Sequence, residues 1–534
     1  MFKLIFKKKE VKLEEPTTTF SVDLKPKIPN LPDIKLIGDK THLNIRYPLI
    51  APYSYAHIFW SEKNKELVYT IEEPRLTKHE KDTLGFLEEG IKELINISFI
   101  GVKKGETIIK YLEKNINVLL SELGIKVPKD SYLKLMYYIY RDFVGLNKIE
   151  SFLCDYFIED IECNGVDSPV YIVHRKYSNL RTNLTFRSMK ELGNLVEKLA
   201  QKCGKYISYA SPLLDGSLPD GSRVNATYST DVSSKGPTFT IRKFTKEPWT
   251  PVQLMEMNTA SPELLAFLWI LVEYEFNIMV IGGTGSGKTT FLNAIAFFIP
   301  PQARVVSIED TRELALQHKN WLPSVARPGV GLTNLSGEKY GEITLFDLLK
   351  ESYRQRPDYV IVGEVRGKEA FVLFQGAASG HPSFSTMHAN GVDTMIRRLE
   401  TPPINLSASL VNSLDAVCVM TQKKVKGKEV RKIKEVTEII NVKEGIGNFT
   451  VNTPFMWDPR TDKFLFKTDS YIFNKICERF GVTREKLNRE FVLRTRILLE
   501  LFRRRVFGFK EVHEVISGYY KTPAAVLRKL GIIR

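Results

Sequence analysis

The chain has 534 residues, more than one hydrophobic core supports, so we expect two or three domains. Its longest apolar run, LLAFLWILV at 264–272, is about half of the ~20 residues that a membrane-spanning helix requires. The 77 Lys and Arg residues exceed the 62 Asp and Glu residues, and the net charge of +15 is compatible with an anionic partner without selecting one. Five cysteines without a CxxC pair argue against a disulfide framework and against a zinc site.

The amino-terminal part of the chain is predicted to begin with a flexible arm. The start, MFKLIFKKKEVK, has lysines but no apolar core of a signal peptide, so we expect the chain to lie in the cytoplasm. Residues 1–50 contain prolines and threonines that interrupt any period, which predicts the arm. From about 80 to 150, apolar residues at three- and four-residue spacing predict three amphipathic helices, and we expect residues 51–150 to form a small, mainly helical subdomain.

Residues 151–245 are predicted to form a mixed α+β domain. Short β-branched runs such as SPVYIVHR and GPTFTIRKF surround one helical segment, MKELGNLVEKLAQKCG. The following segment, KEPWTPVQ at 246–253, contains two prolines and is predicted to be a linker.

A second domain, 254–534, is predicted to have an α/β fold. Ser261 is a plausible cap for a helix that starts at Pro262. The apolar runs NIMVIGG, RVVSIED, YVIVGE and SFSTMH are each followed by helical material, as in a wound, mainly parallel sheet. From about 425 we expect a helical carboxy-terminal extension, in which a charged hairpin, KKVKGKEVRKIKEV, is followed by helices at 470–530.

The segment GGTGSGKT at 282–289 matches the phosphate-loop pattern G-x-x-x-x-G-K-[ST] between a strand-like run and a helical one. Its glycines let successive amides point at phosphate oxygens, at the positive end of the following helix. Lys288 is expected to contact the β- and γ-phosphates of ATP, and the Thr289 hydroxyl is expected to bind Mg²⁺. The predicted nucleotide-binding residues are Gly283, Thr284, Gly285, Ser286, Gly287, Lys288, Thr289 and Thr290.

Two acids flank the apolar run in PDYVIVGEVRG at 357–367, Asp358 before it and Glu364 after it. In a parallel sheet, ligands lie beyond the carboxyl ends of the strands. At ~3.3 Å per residue, Asp358 lies roughly 20 Å from Glu364, at the opposite edge. The sequence therefore predicts that Glu364 faces the nucleotide and that Asp358 is a solvated turn residue.

Two more runs end at the same predicted edge, RVVSIED and SFSTMH. The first ends at Glu309 and Asp310, and a carboxylate there suits the activation of an attacking water. We choose Glu309 because it comes first after the strand, with Asp310 as the alternative. The second ends at His388, for which a contact to the γ-phosphate competes with a structural role.

Four ordered segments resemble the motifs of the secretion-type ATPases that power type II secretion, type IV pili and the archaellum. IGGTGSGKTTFLNA resembles the Walker A motif, VVSIEDTREL the acidic box, RQRPDYVIVGEVRG the Walker B motif and ASGHPSFSTMHANG the histidine box. SIEDTRELALQHKNW resembles the archaeal branch in particular. The resemblance implies a RecA-like motor domain linked to an α+β amino-terminal domain, ATP between the two domains, and a homo-hexameric ring.

The resemblance also implies roles for single residues. Glu309 would activate water, Glu364 would act through Mg²⁺, and His388 would contact the γ-phosphate region. Arg223 and Arg242 match arginines that the family supplies from its amino-terminal domain to neutralise charge in phosphoryl transfer; the alternative is that they are ordinary surface arginines. Bacterial relatives often carry a four-cysteine zinc insertion that this chain lacks, so no zinc is expected.

The implied function is a cytoplasmic ATPase at the cytoplasmic membrane face. It would drive assembly or rotation of a type IV pilus-like filament, or secretion, with a polytopic inner-membrane platform protein and other filament-motor components as partners. Nucleic acid is not expected, because the basic residues are dispersed and form no aromatic-basic array. A nucleic-acid-translocating ATPase of the same architecture is the alternative, and a nucleotide-gated scaffold without turnover is the third hypothesis.

Overall fold

The computed structural model describes residues 20–24, 29, 31–32, 40–95, 105–244, 247–327, 329–333, 339–425, 428–445 and 447–533. The chain divides into two compact units, Met1–Phe244 and Thr245–Arg534. In the part of the chain that is described, no helix is both long enough and apolar enough to cross a bilayer.

The first unit is built on a nine-stranded sheet with the order β1-β2-β3-β6-β5-β4-β9-β8-β7. Its strands are β1 Asn44–Ile50, β2 Ser54–Ser61, β3 Glu66–Glu72, β4 Ile158–Cys163, β5 Pro169–His174, β6 Ser178–Thr185, β7 Leu213–Ser217, β8 Arg223–Thr227 and β9 Thr238–Arg242. Its helices are Lys78–Ile95, Gly105–Glu122, Lys129–Ile139, Glu150–Cys154 and Met189–Lys202, with short helical turns at Lys40–His42, Tyr140–Val144 and Asn147–Ile149.

The strands β1–β3 correct two expectations from the sequence. Residues 44–50 were assigned to a flexible arm and residues 51–72 to a mainly helical subdomain, whereas the structure gives strands in both places. β3 joins the main sheet through a parallel pair with β6, at Val68 and Arg181. The period of two was present in β2, where Ser54, Ala56 and Ile58 are buried. The three helices expected between 80 and 150 are confirmed.

The second unit contains a nine-stranded sheet with the order β12-β11-β15-β16-β10-β17-β18-β19-β20. Its strands are β10 Ile278–Gly282, β11 Val305–Glu309, β12 Trp321–Val325, β15 Tyr359–Val362, β16 Ser383–His388, β17 Ala416–Val425, β18 Lys428–Val442, β19 Phe449–Asp458 and β20 Lys463–Phe466; β13 Val330–Thr333 and β14 Lys339–Tyr340 pair separately. Its helices are Pro251–Glu256, Pro262–Glu273, Lys288–Ala296, Leu345–Arg354, Glu369–Ala378, Val392–Glu400, Ala408–Val411, Tyr471–Phe480, Arg484–Arg503, Phe509–Lys521 and Pro523–Lys529.

In the order of the sheet, the strands β12, β11, β15, β16, β10 and β17 are parallel to one another. The strands β17, β18, β19 and β20 pair in antiparallel fashion. β16 lies between β10, which leads into the glycine loop, and β15. This is a RecA-like α/β sheet, and the predicted fold class is confirmed. Parallel strands that are covered on both faces are largely apolar, and all residues of β10, β11 and β15 are buried, including the polar Ser307 and Glu309 of β11.

The ends of this unit differ in detail from the sequence prediction. A helix begins inside the predicted linker, because Thr250 and Gln253 form a capping box at Pro251–Glu256. The helices expected at 470–530 are confirmed, since they lie between Tyr471 and Lys529, whereas the strands β19 and β20 before them were not expected. The expected hairpin is confirmed as β17–β18. The expected cap is also confirmed, since the Ser261 side chain accepts a hydrogen bond from the backbone N–H of Leu264.

Candidate phosphate-binding site

The glycine loop connects the buried end of β10 to the helix Lys288–Ala296, which we call the loop helix. Gly285 and Gly287 have φ angles of 71° and 90°, a region that glycine enters without steric cost. A Cβ on Gly282 would lie 2.5 Å from the Ser286 hydroxyl oxygen and 2.7 Å from the Met420 carbonyl oxygen. The loop therefore needs glycine both for its turns and for its close approach to β17.

Lys288 is the first residue of the loop helix, and its side chain is half-buried. Its Nζ donates to the carbonyl oxygens of Gly282 at 3.2 Å and of Gly283 at 3.0 Å. Burial lowers the pKa of the Lys288 ammonium, and the charge of Glu364 opposes this shift. The ammonium group thus lies inside the loop, within the electrostatic influence of the acid that follows β15.

The predicted nucleotide-binding residues occupy the loop and the first turn of the loop helix. Their backbone N–H groups include those that a helix leaves without intrahelical partners at its amino end. Ser286 is buried and its hydroxyl donates to the Gly283 carbonyl at 2.8 Å, so it holds the loop closed. The residues in this position are Gly283, Thr284, Gly285, Ser286, Gly287, Lys288, Thr289 and Thr290.

Glu309 ends β11 and is 1% exposed. Its Oε1 accepts hydrogen bonds from the backbone N–H groups of Glu313 and Leu314, both at 2.9 Å. Its Oε2 is buried, and no hydrogen-bond partner for it exists among the described residues. Burial raises the pKa of the Glu309 carboxyl to about 7. One oxygen is therefore fixed, and the other remains able to accept a proton or a hydrogen bond.

Glu364 and Asp358 lie at opposite ends of β15, as the sequence predicts. Glu364 follows the carboxyl end of β15, is partly exposed, and forms an ion pair with Arg366. Asp358 is exposed and accepts a hydrogen bond from the backbone N–H of Arg304 at 2.6 Å. Asp358 thus closes a turn at the amino end of β15, away from the loop.

His388 is the last residue of β16 and lies directly beside Gly282 in the β10–β16 ladder. Its side chain is exposed, and its backbone carbonyl accepts a hydrogen bond from Arg398. Since β11, β15, β16 and β10 are successive parallel strands of the sheet, their carboxyl ends bring Glu309, Glu364 and His388 to the end of the sheet that carries the loop. Asp310 follows Glu309 and is exposed.

Arg223 and Arg242 belong to the first unit, whereas the loop belongs to the second. They stand directly opposite each other in the β8–β9 ladder. Arg223 forms an ion pair with Asp215 at 3.0 Å, and Arg242 with Asp160 at 3.2 Å. The side chains are 44% and 67% exposed, so both guanidinium groups remain accessible from solvent.

A cavity of about 440 Å³ beside the loop contains residues that the sequence analysis did not assign to the site. Its lining comprises Gly283, Thr284, Ser286, Asn390, Met420, Thr421, Gln422, Lys423 and Lys434. Five of these nine residues come from β17 and β18, a hairpin whose basic sequence is evident but whose position next to the loop is not. The hairpin lies beside the loop because β17 pairs with β10, and this pairing joins residues that are far apart in the sequence.

The donor set at this edge suits Mg²⁺. Hard oxygen ligands are what this ion prefers, and it keeps several waters and phosphate oxygens when it is bound with a nucleotide. The Thr289 hydroxyl at the start of the loop helix, the partly exposed Glu364 carboxylate and the unpartnered Glu309 Oε2 supply such oxygens. Within the described ranges, no group of three or more His, Cys, Asp or Glu side chains could hold a metal ion by itself. The expectation that zinc is absent stays a prediction.

The sheet order and the glycine loop define a RecA-like P-loop protein. Residues 144–453, more than half of the chain, match the family described as Type II/IV secretion system protein. The chain therefore belongs to this family of secretion-type ATPases.

The chain is similar to the following proteins. The protein MJ0900 of Methanocaldococcus jannaschii is 34% identical over 499 residues, which are 90% of this chain and 89% of that protein. The type IV secretion system protein PtlH of Bordetella pertussis is 32% identical over 237 residues, 40% of this chain and 67% of PtlH. The crystal structure of the VirB11 ATPase from the Brucella suis type IV secretion system, in complex with sulphate, is 24% identical, covers 53% of this chain and 93% of its own, and has a TM-score of 0.28.

Proposed function

We propose that this protein is a hexameric, cytoplasmic ATPase that couples ATP hydrolysis to assembly or rotation of a type IV pilus-like surface filament, or to secretion. It works at the cytoplasmic membrane face through a polytopic platform protein. The observation that carries the proposal is the convergence of Glu309, Glu364 and His388 on the edge where the loop and Lys288 lie.

In this function the loop amides and Lys288 bind the phosphates of ATP. Thr289 and Glu364 hold Mg²⁺, the latter through water. The ion, when bound, neutralises charge on the β- and γ-phosphates. His388 contacts the γ-phosphate region from the neighbouring strand end.

Glu309 is suited to activate the attacking water. Its Oε2 has no partner among the described residues, and its raised pKa of about 7 lets it take up a proton near neutral pH. The water oxygen attacks the γ-phosphorus, the bond to the ADP oxygen breaks, and the water proton passes to Glu309. The two backbone N–H groups on Oε1 keep the carboxylate in place during this transfer.

Arg223 and Arg242 are the arginines that the first unit supplies for catalysis. Their charge stabilises the negative charge that develops in phosphoryl transfer, as an arginine does in other phosphate-transfer enzymes. ATP hydrolysis supplies the mechanical output within a ring of six chains.

The direct test is ATP hydrolysis by the full-length chain and by Lys288→Ala. We expect turnover in the wild type and its loss in Lys288→Ala, because the ammonium group lies among the loop carbonyls that surround the phosphate position. Lys463→Ala is a matched control, since Lys463 is exposed on β20, at the far edge of the sheet. Full activity of Lys288→Ala would refute the assignment of the loop, and strong stimulation by DNA would favour the translocase alternative.

A further inference from the structure

The hairpin β17–β18 borders the phosphate loop on the side away from the hydrolytic groups. β10 has β16 on one side and β17 on the other. The strand ends that carry Glu309, Glu364 and His388 all lie on the β16 side of β10. A nucleotide whose γ-phosphate faces these groups therefore extends its α-phosphate and nucleoside toward the hairpin.

Two polar side chains of the hairpin, in addition to Met420, reach the loop itself. Gln422 and Arg431 are direct partners in the β17–β18 ladder, so they share one face of the hairpin. The Gln422 Oε1 lies 3.0 Å from the position that a Cβ on Gly285 would take, and the Arg431 Cδ lies 3.5 Å from that of Gly287. Both glycines lie where the loop turns into its helix.

Arg431 is exposed and has no ion-pair partner among the described residues, although it lies beside the amino end of the loop helix. That end carries partial positive charge, and the guanidinium is always charged. Two positive groups held together favour an anion between them. The planar donors of arginine match phosphate oxygens in pairs, which makes a phosphate group the best-fitting anion.

The next residue of β18 shows what a structural cation looks like in this strand. Lys432 is buried, its Nζ donates to the Asn258 carbonyl at 2.7 Å and pairs with Asp462 at 2.8 Å, and it lies over the Trp457 ring. The positive charge of Lys432 is thus compensated within the unit. Among the residues that the structure describes, Arg431 has no such compensation, so its charge is available to a ligand.

We propose that Arg431 is a nucleotide-contacting residue that binds the α-phosphate end of a nucleoside di- or triphosphate held by the loop. Gln422 positions the loop next to it through its contact with Gly285. The inference rests on the proposed function, because it assigns a further residue to the same site.

The test is calorimetric binding of ADP and of a non-hydrolysable ATP analogue to the full-length chain. Arg431→Ala is expected to weaken the binding of both ligands by the same factor, about tenfold or more, since a charge-assisted hydrogen bond to phosphate is lost. It should raise the KM for ATP by a similar factor with kcat within about twofold, because the group lies away from the attacked phosphate. The nucleotide affinity of Arg431→Lys is expected to lie between those of the wild type and Arg431→Ala.

Gln422→Glu provides an independent variant. It places a negatively charged carboxylate against Gly285, which should also weaken the binding of both anionic ligands. Arg460→Ala is the matched control, since Arg460 is an exposed arginine in the turn between β19 and β20. Unchanged ADP affinity in Arg431→Ala would overturn the inference, as would a loss confined to the triphosphate analogue. If Lys288→Ala loses both nucleotides while Arg431→Ala and Gln422→Glu keep them, the proposed function stands and the inference fails. A wild type that binds neither nucleotide would refute the proposed function.

Discussion

The two oxygens of the Glu309 carboxylate have different environments, and this difference predicts a pH dependence. Oε1 is hydrogen-bonded and Oε2 is buried without a partner in the described structure, so burial raises the pKa of the group to about 7. A base must be ionised to accept a proton, so turnover should rise as the pH increases through about 7 and fall below it. Initial rates at saturating ATP between pH 5.5 and 8.5 check this expectation, and a rate that is flat across this range would contradict it.

Replacing Glu309 by Gln separates binding from hydrolysis. We expect Glu309→Gln to bind ATP and to hydrolyse it about a hundredfold to ten-thousandfold more slowly, because the amide cannot take the proton of water. Phosphate release and nucleotide binding are measured on the same preparation. Asp310→Asn is the matched control, one residue further along and exposed. Normal turnover in Glu309→Gln together with loss in Asp310→Asn would transfer the role to Asp310.

Residues of the site differ in how far the sequence predicts them. The glycine loop and the strand-end residues Glu309, Glu364 and His388 follow from local patterns, since each is fixed by the strand directly before it. Gln422 and Arg431 could not be found in this way. They reach the loop because β17 pairs with β10 and β18 with β17, and this pairing depends on the whole sheet.

At the scale of elements, the helix Arg484–Arg503 is fastened to the helix Pro262–Glu273 by one buried cation. Arg494 is 3% exposed, forms an ion pair with Glu273, and lies 5.2 Å from the centre of the Trp269 ring. Arg494→Ala should lower the free energy of unfolding of the second unit by about 2–5 kcal/mol, because it removes a buried side chain, leaves a cavity and takes the ion-pair partner from the partly exposed Glu273. Urea unfolding followed by tryptophan fluorescence measures the change.

Arg503→Ala is the control for this prediction. Arg503 lies on the same helix but is 70% exposed in its ion pair with Glu500, and exposed pairs contribute at most about 1 kcal/mol. Equal effects of the two variants would show that burial of Arg494 does not determine its contribution.

The elements of the first unit show where local patterns fail. The helices between 78 and 139 were predicted from their amphipathic spacing, whereas β1–β3 were missed. β3 pairs with β6, more than 100 residues further along the chain, as at Val68 and Arg181. Tyr47 on β1 and Tyr69 on β3 both donate to Asp155 Oδ2 at 2.7 Å, a buried junction that no local period reveals.

At the scale of the whole molecule, composition constrained the function least. The net charge of +15 is compatible with several partners, and it does not distinguish a filament motor from a translocase. The order of four motifs was more informative, because phosphate binding and water activation need fixed positions along a parallel sheet. The family match over residues 144–453 includes all four of these motifs.

The proposed catalytic role of Arg223 and Arg242 can be tested by substitution. The two residues face each other on β8 and β9 and form ion pairs with Asp215 and Asp160. Arg223→Ala and Arg242→Ala should each lower kcat by about a hundredfold or more, because charge developing on the phosphate loses its partner. ADP affinity should stay within about threefold, since the loop is unaltered.

Arg181→Ala is the matched control, because Arg181 is a partly exposed, ion-paired arginine on β6 of the same sheet. Light scattering with a non-hydrolysable ATP analogue should give hexamers for the wild type and for all three variants, so that slow turnover reflects the missing charge and not a missing ring. Normal turnover in both Arg223→Ala and Arg242→Ala would make them ordinary surface arginines. A strict monomer with full ATPase activity would contradict the proposed ring of six chains.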